Sequence, residues 1–118
     1  MNGSHVNYPL VSVIDYPVDG PAAQSSVVEA FAAIQEQWVR HHRGYRSARF
    51  LASTGGDRVC ALVHWDSEAD LRAFEAATDT AGLDAAIARA LGGLTGVGAP
   101  RLTRYRVVRE VLPVRDAG

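Results

Sequence analysis

Three features of the sequence predict an α+β fold of β-α-β-β-α-β order. Four short apolar runs alternate with two stretches whose apolar residues recur at helical spacing. The two middle runs are separated only by Thr54-Gly55-Gly56-Asp57, a hairpin-turn composition. The third run, Val59-Cys60-Ala61-Leu62-Val63-His64-Trp65, has little polar alternation, which is the mark of a strand covered on both faces. A chain of 118 residues with 47% hydrophobic content suits one compact domain around one core.

The first strand is Leu10-Val11-Ser12-Val13-Ile14-Asp15-Tyr16, stopped by Pro17 and the loop Asp19-Gly20-Pro21. Pro21 suits the first turn of a helix, where its missing N–H costs little. Val27, Phe31, Ile34 and Trp38 then recur at +4, +3, +4 and form one apolar face, with Glu29, Gln35, Glu36 and Arg40 off it. Gly44 supplies the stop. The second strand covers 46–53. After the third, Ser67 with Asp70 resembles a capping box, and Leu71 and Phe74 face inward from a short helix. Thr78-Asp79-Thr80 breaks the pattern, and Leu83, Ile87 and Leu91 restart it. The last strand is expected over 102–111, ended by Pro113.

This order is the ferredoxin-like motif. Residues 10–112 form the domain, with 1–9 a flexible N-terminus and 113–118 a C-terminal tail. Two helical stretches cover one face of a four-stranded sheet, so the second face of the third strand needs another cover. A second copy of the chain is the economical one, and two sheets stacked face to face make a dimeric α/β barrel.

Composition narrows the function. A net charge of −1 with no clustered Lys or Arg argues against nucleic acid as a partner. No apolar run approaches the ~20 residues that span a bilayer, so no membrane role is expected. The N-terminus lacks a basic-then-apolar leader pattern, and the single Cys60 forms no internal disulfide, which fits a cytoplasmic protein. No Cys/His spacing matches a metal site and no Gly-rich phosphate loop is present, so the expected cofactor is none.

Several segments are familiar together: Tyr16-Pro17-Val18-Asp19-Gly20-Pro21, Ile34-Gln35-Glu36-Gln37-Trp38-Val39, Gly44-Tyr45-Arg46-Ser47-Ala48, Ala52-Ser53-Thr54 and Val63-His64-Trp65-Asp66-Ser67-Glu68. Over residues 10–111 the chain resembles the antibiotic biosynthesis monooxygenase family, and most of all its small cofactor-independent members that oxidise phenolic polyketides to quinones. The resemblance implies a homodimer and a pocket between sheet and helices that binds a small aromatic polyketide-like substrate. It also implies oxidation without metal, haem or flavin. The substrate's own phenolate reacts with oxygen, while the protein binds the ring, stabilises the anion and excludes water.

On that resemblance Trp65 is the first candidate catalytic residue, a pocket-wall aromatic with an indole donor; a core Trp between sheet and helix is the competing role. Tyr16 and Tyr45, at strand ends, are candidates to present a phenol to substrate. Ala61 and Val63 share Trp65's face by strand alternation. Leu51, Leu71, Phe74, Arg72 and Tyr105 complete the expected substrate-binding set, and Arg49, Arg72 and Arg104 are the cations available to offset a phenolate. His64 is expected on the partner-facing side, and His41 and His42 favour the C-terminal end of the first helix. The quinone-forming members carry an Asn where Ala61 stands, a polar aromatic at Leu71 and an Arg near Asp84; many other members carry a His at Phe74. These departures leave two further functions open: a polyketide cyclase or isomerase of the same fold, and a non-catalytic small-molecule-binding accessory protein.

Overall fold

The computed structural model describes residues 9–114. The segments expected as a flexible N-terminus and a C-terminal tail fall largely on residues 1–8 and 115–118, which lie outside the described residues. The elements run β1 (Leu10–Pro17), α1 (Pro21–Ile34) with a π-helical extension (Gln35–Val39), β2 (Tyr45–Ala52), β3 (Arg58–Trp65), α2 (Glu68–Ala77), α3 (Thr80–Gly92) and β4 (Arg101–Arg106). The sheet order is β2-β3-β1-β4 with every neighbour antiparallel, so the fold is the ferredoxin-like α+β arrangement with its second helix broken in two.

Local chemistry explains the elements. Pro21 opens α1, as its fixed φ favours. The Ser67 hydroxyl accepts the Asp70 backbone N–H at 3.1 Å and caps α2, and the Asp79 carboxylate accepts the Gly82 N–H at 3.0 Å and caps α3. Asp79 is thus why the second helical stretch restarts after Thr78.

Register sorts the side chains. Leu10, Ser12, Ile14 and Tyr16 of β1 pair with Trp65, Val63, Ala61 and Val59 of β3, and this face meets the helices. Val11, Val13 and Asp15 share the opposite face with His64, Leu62 and Cys60. The core is divided. One cluster gathers Leu10, Val39, Val63, Trp65, Leu71 and Phe74; another gathers Tyr16, Val18, Val27, Phe31 and Val59.

Three expectations need correction. The apolar stripe of α1 does not end on Trp38, which is half-buried; Val39 is buried in its place. The π turn causes this, because the Arg40 N–H bonds the Gln35 carbonyl at 2.9 Å, an i→i+5 bond that adds one residue to the turn. Gln35, placed by the sequence on the polar side, is also buried, because it stands four residues after Phe31 on the inward face of α1. Finally, β4 stops at Arg106 rather than Val111. Its partner β1 begins at Leu10, and Pro9 offers a carbonyl to Val107 at 3.0 Å but has no N–H to extend the ladder.

Candidate functional site

A cavity of about 400 Å³ lies between the sheet and the helices, within the size range of small-molecule sites. Its walls come from both core clusters: Val39, Val63, Trp65, Leu71 and Phe74 from one, and Phe31 with Ile14 and Ile87 from around the other. Trp65 is 1% exposed and forms the aromatic corner. Phe74 lies 5.4 Å from it at a 37° tilt, and Tyr45 meets its far side edge-on at 5.5 Å. His42 packs edge-on against Phe74 at 4.7 Å. These contacts hold the indole by offset and edge-to-face geometry.

The lining also carries polar groups: Ser12 from β1, Gln35 from the π turn, Thr78 and Thr80 from the α2–α3 junction, and Glu75, Asp84 and Arg104. Arg104 of β4 pairs with Glu75 of α2, joining sheet edge to helix beside the cavity. The Oε1 of Gln35 and the hydroxyl of Thr78 are buried and have no hydrogen-bond partner. Among the described residues, no three His, Cys, Asp or Glu side chains group closely enough to hold a metal ion.

Of the expected site residues, the fold brings Trp65, Val63, Leu71, Phe74 and the candidate cation Arg104 together around this cavity. It does not bring the others there. Tyr16 is buried in the second cluster, 4.9 Å from Phe31, and burial pushes its phenol up to about 12, which makes it a poor acid. Tyr45 stands behind Trp65, its phenol also raised by burial, partly offset by Arg40. Ala61 lies on the expected face but is 3% exposed, and its methyl is too short to emerge between its bulkier partners Ile14 and Phe50. Arg72 points to solvent and pairs with Glu68 at 3.2 Å, one helical step away from the inward Leu71. Tyr105 pairs with Val11 on the opposite face of the sheet. Leu51 is there too, and the cause is a bulge: Tyr45 pairs with Trp65 but Ser47 with His64, so Arg46 is the extra residue and every later residue of β2 changes face. Phe50, not Leu51, therefore meets the helices.

Sequence reasoning missed Ser12, Gln35 and Thr78. Ser12 left a signal, since it is a polar residue in phase with Leu10, Ile14 and Tyr16. Gln35 left one in its spacing, four residues after Phe31, and Thr78 left one as the first residue of the interrupted helical pattern.

With this geometry in place, likeness to known proteins is informative. The chain is 33% identical to a monooxygenase from the gene ActVA-Orf6 of Streptomyces coelicolor, solved in complex with nanaomycin D, over 91% of this chain and 94% of that one, with a TM-score of 0.75. SnoaB, a cofactor-independent oxygenase from Streptomyces nogalater, shares the fold at 15% identity over 91% of this chain and 99% of its own, with a TM-score of 0.64. Tetracenomycin-F1 monooxygenase of Streptomyces glaucescens is 36% identical over 56 residues, 48% of this chain and 50% of that protein. The match thus spans about half the length of that curated relative. No protein-family model matches the sequence. The near-complete alignment at 33% identity makes the chain a member of the antibiotic biosynthesis monooxygenase family.

Proposed function

We propose that this chain is a cytoplasmic, cofactor-independent monooxygenase that oxidises a polycyclic phenolic intermediate to a quinone. The observation that supports this most is the cavity whose aromatic corner is Trp65, in a chain 33% identical to a monooxygenase solved with nanaomycin D. In this reading Trp65 and Phe74 hold the flat ring and the apolar wall excludes water. Arg104 is the cation near enough to attract a phenolate. The ring CH2 becomes C=O: one atom of dioxygen stays on carbon and the other leaves as water. Exclusion of water strengthens each of these interactions.

Incubation with a model anthrone tests it. Oxygen uptake with quinone formation is the expected result. A product of unchanged oxidation state would favour the cyclase or isomerase reading, which the Ala61 in place of the family's Asn supports. Binding without turnover would leave an accessory role. In the same assay Trp65→Phe keeps an aromatic ring but loses the indole donor. We expect turnover to fall by more than affinity does, as for an interaction made in the transition state. A variant indistinguishable from the parent would reduce Trp65 to a core residue.

A further inference from the structure

The chain buries two glutamines, and they differ in kind. Gln24, 7% exposed, has its amide N–H groups engaged: they reach the Ser53 carbonyl at 2.9 Å, the Arg58 carbonyl at 3.0 Å and the Ser53 hydroxyl at 3.2 Å. It ties α1 to the β2–β3 hairpin. Gln35, 8% exposed, lines the cavity, and its Oε1 has no partner. The hydroxyl of Thr78, across the chain at the end of α2, is in the same condition on the same cavity.

Buried polar atoms without partners are rare because each loses its bonds to water without replacement. Gln35 stands four residues after the buried Phe31, so α1 itself aims it at the cavity, and the π turn that begins there is a geometry frequent at functional sites. From these observations we infer that Gln35 and Thr78 are a hydrogen-bonding subsite for hydroxyl groups on the ring edge of an aromatic ligand. The inference rests on the proposed reading only in taking the cavity as the ligand site.

Chemistry narrows the ligand to a hydroxyl. Gln35 Oε1 needs a donor, which an aromatic hydrocarbon or a quinone carbonyl lacks. If the amide turns over, it presents an N–H, and a hydroxyl accepts that as readily. Thr78 rotates its O–H to give or take. A phenolic O–H therefore suits either residue in any of its arrangements. The aromatic corner of Trp65 and Phe74 supplies the ring contact, and Gln35 and Thr78 set which ring positions must carry oxygen. They are specificity-determining residues, remote from any oxidation step in their chemistry.

The test uses 2-naphthol and naphthalene, small enough for the cavity, with binding measured by titration against the parent and two variants. Gln35→Met keeps the length and drops the amide; Thr78→Val keeps the shape and drops the hydroxyl. Neither removes a protein hydrogen bond of the side chain, so both should melt at or above the parent's temperature. We expect either variant to weaken 2-naphthol roughly tenfold while naphthalene is unchanged or tightened, the size of one hydrogen bond in a buried site. Unchanged 2-naphthol affinity in both variants overturns the inference, and so does failure of 2-naphthol to bind the parent; a buried water would then be the partner of these groups. A sharp loss of thermal stability in both variants also overturns it, since it would show a structural role. Anthrone oxidation is a separate readout. Its failure with Gln35-dependent naphthol binding intact would sink the monooxygenase reading alone.

Discussion

His64 shows how a single side chain ties the sheet's second face to pH. It projects away from Trp65, into a hollow lined also by Arg46, Arg49 and Glu110, and its Nε2 is buried without a partner. Burial, then the charges of Arg49 and Arg46, hold its pKa below the ordinary 6.5. The unfolded chain therefore binds more protons between the lowered native value and 6.5, and stability rises with pH across that window. We expect the urea midpoint to drop as pH falls below about 6.5, and His64→Gln to flatten that slope. An equal slope in parent and variant would assign the effect to other groups. Trp65→Ala is the opposite kind of test, a pure packing loss. With the ring 1% exposed it should cost about 3–5 kcal/mol in denaturant unfolding.

Among the elements, the turn into β2 is the most constrained. Gly44 has φ +85, and a Cβ there would stand 2.2 Å from the Asp70 carboxyl carbon, the residue that completes the cap of α2. Gly44→Ala should thus strain the backbone and displace the cap together, losing at least about 1–3 kcal/mol. Gly92 is the control, since nothing lies within 4 Å of a Cβ at the end of α3. Gly92→Ala should be neutral or stabilising by up to about 1 kcal/mol. Equal urea midpoints for the two variants would refute this account of the turn. The same elements show what sequence makes legible. Helix and strand identities followed from apolar period, because period is set by burial of one face. The cap at Ser67, the break at Thr78 and the face of Trp65 were legible for local chemical reasons. The π turn at Gln35 and the bulge at Arg46 were not. Each inserts one residue at a point where +3 or +4 and simple alternation fit the letters equally well, and each then moves a residue: Val39 in, Leu51 out.

At the scale of the whole molecule, the second sheet face awaits a cover. Leu62, Val11 and Val13 are only half-buried there, with Leu51 44% and Tyr105 55% exposed. We expect sedimentation at micromolar concentration to give about twice 12.6 kDa, and Leu62→Asp, at the centre of that face, to give a monomer. A monomeric parent would end the barrel proposal. The divided core has a different consequence. The cavity is lined by residues of both the Trp65 and the Tyr16 clusters, and α3, with no fully buried residue, packs over them only loosely. Such a segment opens at low free energy. A ring bound in the cavity would touch both clusters and clamp α3 from beneath. Amide exchange along 80–92 should therefore slow most when ligand is added, while β1 and β3, already locked at the sheet's centre, barely change. The ligand would be completing the fold as well as occupying a site.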